Sequence, residues 1–127
     1  TFADTDWVQI LAIYDHLLEI APTPVAELNR AVALAEVEGP QAALDTVEHL
    51  DLDHYYLWHA VQADLLRRLG RHGDAELEYE RAIRLTNNPA ERQLLQRRVD
   101  EIHATHTVGQ GQGTDANPRQ TQRAGDA

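Results

Sequence analysis

The amino-acid sequence predicts an all-α fold, in which about six helices form antiparallel hairpins stacked into a short solenoid. Three observations support this prediction. Apolar residues recur at steps of three and four along most of the chain, as they do on one face of a helix. Proline, glycine and asparagine interrupt these runs at positions typical of helix ends. No segment shows the alternation of apolar and polar residues that indicates a strand.

Local capping signals bound the first three predicted helices. Asp6 and Gln9 form a capping box, which predicts that the first helix starts at Asp6. The tripeptide PTP at residues 22–24 ends this helix and starts the second, with its threonine as N-cap and its second proline in the first turn. The pair GP at residues 39–40 ends the second helix and opens the third.

Three further helices are predicted in the second half of the chain. Asp53 is the expected N-cap of a helix over residues 54–69. The break GRHG at residues 70–73 reverses the chain into a fifth helix that ends near Thr86. The stretch NPAE at residues 88–91 supplies an N-cap, a first-turn proline and a capping glutamate, and it predicts a sixth helix over residues 91–104.

The C-terminal stretch VGQGQGTDANPRQTQRAGDA has a different composition from the rest. It is rich in glycine and glutamine and has too few apolar residues to offset the entropy lost on ordering. We therefore predict one helical-repeat domain over residues 1–107 and a disordered tail over residues 108–127. Because the chain begins with Thr1 and contains no methionine, we expect it to be a piece of a longer protein.

Several residue types are absent, and their absence excludes whole classes of chemistry. The chain contains no serine, cysteine or lysine. Disulfides, serine or cysteine nucleophiles, Schiff-base lysines and the lysine of a phosphate-binding loop are therefore excluded. No apolar run approaches the ~20 residues that a membrane span needs. We expect no enzymatic activity, no catalytic residue, no cofactor, no bound metal and no membrane association.

The negative charge is concentrated at one end. Residues 1–60 carry eleven acidic side chains against one arginine, whereas residues 61–107 carry eight of each, and the formal net charge is −10. A DNA phosphate backbone would be repelled by the first half. We expect no direct DNA binding by this chain.

An internal repeat is the clearest motif. Ala75, Tyr79 and Ala82 place a small, a large and a small side chain on one helix stripe, which allows a second helix to approach around one aromatic ring. The 34-residue unit Tyr56–Pro89 that contains them resembles a tetratricopeptide repeat, although His59 stands where that family has a large aromatic side chain. The residues assigned to repeat packing are Tyr14, Ala63, Gly70, Ala75, Tyr79 and Ala82.

A second, looser unit covers residues 25–50, and a half unit with Tyr14 as its aromatic side chain precedes it. Beyond the repeat, the segments PTPVAELNRAVALAE and NPAERQLLQRR resemble the C-terminal helical-repeat domain of a group of bacterial extracytoplasmic-function (ECF) sigma factors. The resemblance extends over residues 6–102. It implies transcription initiation for the parent protein, in the cytoplasm, and a regulatory interaction for this domain.

The partners implied by the resemblance are the N-terminal regions of the sigma factor, RNA polymerase core, or both. A stand-alone tetratricopeptide adaptor that binds a separate peptide is the alternative function. The repeat's usual ligand-facing positions give the candidate partner-binding residues, which are Asn29, Arg30, Glu36, Asp64, Arg67 and Arg68, with Ala33 between them. Asn29 and Arg30 are polar residues in an apolar helix, and they could either contact a partner or join two helices of the domain.

Other polar clusters favour no site. Seven histidines include the pair His103 and His106, but no compact motif brings together the three or four ligands that zinc requires. The acids Asp51 and Asp53 lack an evident pocket. The aromatic residues 55, 56 and 58 lie near acidic side chains, which favours packing over base stacking.

Overall fold

The structure, a computed structural model, describes the backbone of residues 2–116 and the side chains of residues 6–105. This part of the chain forms six helices and no strand, which confirms the predicted all-α class. The helices are α1 (Phe2–Ile20), α2 (Pro24–Glu38), α3 (Pro40–Val47), α4 (Tyr56–Arg68), α5 (His72–Leu85) and α6 (Pro89–Ala116).

Each helix packs against the next, and α2 also contacts α4. Because short connections join most neighbours, consecutive helices run antiparallel, and the hairpins α2–α3 and α4–α5 lie side by side. The most extensive contact is between α4 and α5. This packing is that of a short helical-hairpin solenoid, as the sequence predicts.

Three of the predicted helix starts are confirmed. Thr23 caps α2, since its Oγ1 accepts a hydrogen bond from the backbone N–H of Ala26 at 3.1 Å. Gly39 separates α2 from α3 with a φ of 98°, a backbone conformation that favours glycine. Asn88 caps α6, because its Oδ1 accepts the N–H of Ala90 at 2.9 Å.

Two predicted N-caps are wrong. Helix α1 begins at Phe2 rather than at Asp6, because a capping-box pattern also occurs inside helices and does not by itself fix a start. Helix α4 begins at Tyr56, and its N-cap Tyr55 makes no side-chain capping bond. Asp53 lies before the helix, where its backbone carbonyl accepts a hydrogen bond from Nε2 of His59 at 2.8 Å.

The capping role of Glu91 is also wrong. Its carboxylate accepts hydrogen bonds from Thr86 Oγ1 at 2.5 Å and from the hydroxyl of Tyr56 at 2.8 Å. These two bonds, that of Thr86 first, lower the pKa of Glu91. Burial and the nearby carboxylate raise the pKa of Tyr56 to about 12. Glu91 thus joins the start of α6 to the start of α4 instead of closing its own first turn.

Helix α6 runs past the predicted end near Ala104 and past the proposed domain boundary at residue 107, as far as Ala116. No proline interrupts residues 90–117, so the backbone hydrogen-bond pattern of the helix meets no steric block there. Asn117 precedes Pro118, a position at which helical backbone is disfavoured. Residues 117–127 of the predicted tail lie outside the described residues.

The centre of the core lies between α4 and α5. Ala63, Ala75 and Ala82 are fully inaccessible to solvent, and Tyr79 is 2% exposed. These small side chains let the two helices approach closely around the tyrosine ring. Tyr14, assigned the equivalent aromatic role on α1, is only half-buried.

The tight turn after α4 depends on Gly70. Its φ is 81°, its N–H bonds to the carbonyl of Arg67 at 3.0 Å, and the N–H of Arg71 bonds to the carbonyl of Leu66 at 2.9 Å. This pair of bonds is a Schellman motif, in which the left-handed residue is usually glycine. The turn directs α5 back along α4 and so brings the small residues of the two helices together.

Candidate functional site

A groove between α2 and α4 collects several of the candidate partner-binding residues. Its volume is about 240 Å³, and its floor is apolar. Val32 contributes a side chain that remains 40% exposed. The apolar lining residues are Val32, Ala35, Leu57, Ala60, Val61 and Leu65.

The charged residues on the rim of this α2–α4 groove are Glu36, Asp64 and Arg68, and each of the two acids is paired with an arginine. Arg68 Nη1 of α4 lies 3.3 Å from Glu36 Oε2 of α2, so this pair spans the groove. Arg67 Nη2 lies 2.5 Å from Asp64 Oδ1, one turn earlier on the same helix. Since each acid is matched by an arginine, the groove combines an apolar floor with a rim of balanced charge.

Arg67 points away from the groove and towards the core. Its Nε donates a hydrogen bond to the hydroxyl of Tyr79 at 3.2 Å. The hydrogen bond to Asp64 is the main cause that raises the pKa of Arg67, while burial raises the pKa of Tyr79. Arg67 therefore connects the groove rim, through Asp64, to the buried tyrosine between α4 and α5.

The candidate residues of α2 face in different directions. Asn29 is half-buried and precedes Val32 and Glu36 on the same stripe, at steps of three and four. Ala33, carried over as a ligand-facing position, is 1% exposed and belongs to the core, so that assignment is wrong. Arg30 points to α1, where its Nε lies 2.5 Å from Asp15 Oδ1.

The contact of Arg30 favours the helix-joining interpretation of this residue. We expect Arg30→Ala to lower the free energy of unfolding by about 0.2–1 kcal/mol, because the ion pair with Asp15 is partly exposed and screened by water. Asp15→Ala should have a similar effect, and the double variant should cost less than the sum of the two. Urea denaturation of all four proteins measures this coupling. Fully additive effects would show that the pair contributes nothing.

The histidines form no metal site within the described part of the chain. There, no group of three or more histidine, cysteine, aspartate or glutamate side chains is arranged to hold a metal ion. His103 instead pairs with Glu76, with 2.9 Å between Nε2 and Oε2, and this hydrogen bond raises the pKa of His103. His106 lies outside the residues whose side chains are described. Among the described helices, none has both the length and the apolar character needed to cross a lipid bilayer.

Sequence reasoning missed the apolar floor of the groove. It selected polar residues at ligand-facing positions, whereas the apolar side chain of the groove with the highest exposed fraction is that of Val32. The signal was present in the spacing: Leu57, Val61, Asp64 and Arg68 follow one another at steps of four, three and four on one stripe of α4. The sequence does not show which helix this stripe of α4 faces, because that depends on tertiary packing.

Comparison with known proteins finds a relative that matches most of this chain. No family model matches the chain, and no solved structure matches it. An uncharacterized protein of Rhizobium meliloti (strain 1021) is 40% identical over 102 residues, which is 79% of this chain and 24% of that protein. The chain thus spans about a quarter of the length of this relative.

Proposed function

We propose that this chain is a regulatory protein-interaction domain of a bacterial ECF sigma factor, and that its partner segment binds in the α2–α4 groove. The partner is a sigma region of the parent protein or RNA polymerase core. In this proposal the domain has no catalytic role. It modulates transcription initiation by holding or releasing a partner segment.

The exposed apolar floor of the groove is the observation that carries this proposal. Burying an apolar side chain against Val32 and its neighbours removes apolar surface from water, which favours association. The flanking ion pair between Glu36 and Arg68 offers both a hydrogen-bond acceptor and a donor to the partner's polar groups. An apolar anchor with a polar rim is the usual arrangement of a protein interface.

Two further observations support the sigma-factor setting. Residues 6–102 resemble the C-terminal helical-repeat domain of a group of ECF sigma factors. The Rhizobium relative is about four times as long as the matched segment, as expected for a protein in which such a domain is one part of several. Helical-repeat proteins commonly bind partners on the surface of a stack of helices, and this chain forms such a stack.

Val32→Arg tests the groove directly. We expect this variant, made in the full-length parent protein, to lose most of the domain's effect in a transcription reporter, because a charged side chain would occupy the apolar floor. Val37→Arg is the matched control, since Val37 is 39% exposed on the same helix and does not line the groove. Both variants should keep the wild-type melting temperature, as substitutions at exposed positions usually do.

Equal reporter activity for both variants would contradict the assignment of the groove. A separate measurement tests the sigma-factor setting: the domain should co-purify with the parent's sigma regions or with core polymerase, and Val32→Arg should reduce the recovered amount. The stand-alone adaptor is the better description if sigma regions and polymerase never co-purify with the domain, and if a separate peptide binds the wild-type domain and the Val37→Arg variant but not Val32→Arg.

A further inference from the structure

A second opening lies on the other side of α4. It consists of two adjoining cavities of about 460 and about 220 Å³ that share Gln62, Glu78 and Arg81 in their linings. Helix α4 forms its floor, α5 forms one wall, and the end of α3 with the following loop forms the other. We call this opening the α3–α5 cleft. Its floor residues on α4 lie on the face opposite the α2–α4 groove, so the two openings are separate.

Gln62 is the polar residue on the floor of the cleft whose side-chain amide is available to a ligand. Its side chain is 8% exposed, and the described residues give its amide no hydrogen-bond partner. The amide atoms of Gln62 are not among the fully buried, unpaired side-chain atoms of the described residues, so the amide faces water in the open cleft, and a polar group of a ligand can replace that water. A side-chain amide offers donors and an acceptor next to each other. A peptide group supplies the matching pair.

The neighbouring polar group, His59, has no hydrogen-bonding capacity left. Its Nδ1 lies 2.7 Å from Glu78 Oε1, and its Nε2 lies 2.8 Å from the backbone carbonyl of Asp53. Both ring nitrogens of His59 are therefore engaged within the fold. This arrangement fixes the wall of the cleft and leaves Gln62 as the available polar group on the floor.

The walls define which side chains the ligand carries. Leu77 at one end is 52% exposed, and Leu85 and Trp58 line the other end. An apolar side chain of a ligand can therefore bury apolar surface at either end of the cleft. Arg81 is already paired with Glu78 at 2.6 Å. Arg84 lines the same end and forms no ion pair with any described residue, which leaves its guanidinium to bind a carboxylate.

We propose that the α3–α5 cleft is a second binding site, which takes a short extended polypeptide segment with an apolar and an acidic side chain. The ligand's backbone amide pairs with Gln62, its apolar side chain covers Leu85 or Leu77, and its carboxylate binds Arg84. This site is independent of the α2–α4 groove and of the function proposed for it.

The blocked dipeptide N-acetyl-Leu-Glu-amide is a probe for this site. The chain contains two tryptophans, Trp58 beside the cleft and Trp7 on α1. In a titration of the ¹⁵N-labelled 127-residue chain, we expect a saturable shift of the Trp58 indole N–H resonance and no shift of that of Trp7. N-acetyl-Leu-Gln-amide should bind about two- to fivefold more weakly, since it lacks the charge that pairs with Arg84.

Two variants separate the parts of the site. Gln62→Leu should abolish binding while leaving the melting temperature unchanged or higher, because the amide it removes has no protein partner. Arg84→Gln should keep binding but erase the preference for glutamate over glutamine. Arg97→Gln, on exposed surface of α6, and Val32→Arg, in the other groove, should leave both affinities as they are.

Three results would overturn the proposal. One is the absence of any saturable shift at millimolar dipeptide, and another is a shift of both tryptophan resonances together. The third is a marked loss of stability in Gln62→Leu, since it would mean that the amide is bonded within the fold. If that variant cannot be purified, the comparison of Arg84→Gln with Arg97→Gln still decides whether the glutamate carboxylate of the dipeptide binds at this cleft.

Discussion

Tyr79→Ala is expected to lower the free energy of unfolding by about 3–5 kcal/mol, a cost typical of truncating a buried aromatic side chain. Tyr79 is the largest of the fully buried side chains of the described residues and lies among core residues of α4, α5 and α6. Removing the ring leaves a cavity that the small side chains of α4 and α5 cannot fill. Denaturation by urea, followed by circular dichroism at 222 nm, measures the loss.

Tyr79→Phe is the control for this experiment. It keeps the ring and removes only the hydroxyl that accepts a hydrogen bond from Arg67 at 3.2 Å. We expect a cost of about 1 kcal/mol, the usual contribution of one such bond. If the alanine and phenylalanine variants lose similar stability, the ring does not fill the space between α4 and α5, and the packing described for this hairpin is wrong.

Ala75→Leu should lower the free energy of unfolding by about 1–3 kcal/mol through overpacking. Ala75 is fully inaccessible to solvent at the contact between α4 and α5, so three additional carbon atoms force the helices apart. Alanine and leucine are both good helix formers, and intrinsic propensity therefore contributes little to the difference.

Ala104→Leu is the matched control for Ala75→Leu. It makes the same replacement at an exposed position of α6 and should change stability by less than about 0.5 kcal/mol. Thermal unfolding of both variants beside the wild type distinguishes packing from propensity. An unchanged melting temperature for Ala75→Leu would show that the small residues have been assigned to the wrong stripe.

Sequence reasoning located most helix boundaries because the signals at these boundaries are local. Thr23 and Asn88 cap helices through bonds to residues two or three positions away, and the backbone of Gly39 needs no distant contact. The start of α4 could not be predicted in this way. Asp53 has the side chain of a good N-cap, but its carbonyl is held by His59, six residues away, and the helix starts later.

Only part of the candidate site could be predicted from the sequence. Helical spacing places Glu36 on one stripe of α2, and places Asp64 and Arg68 on one stripe of α4, and the structure brings all three to one groove. The orientation of Arg30 could not be predicted, because its carboxylate partner, Asp15, belongs to another helix. Gln62 was not selected, since a lone glutamine gives no signal in sequence until its lack of partners is seen.

The ion pair that spans the α2–α4 groove affects how a charged partner can bind. Arg68 and Glu36 already neutralise each other across the opening. A carboxylate that takes Arg68 must displace Glu36, and an ammonium that takes Glu36 must displace Arg68, so one ion pair is exchanged for another. After such an exchange the number of paired charges is nearly the same as before. Recognition in this groove should therefore vary only weakly with ionic strength, even though the chain as a whole is strongly acidic.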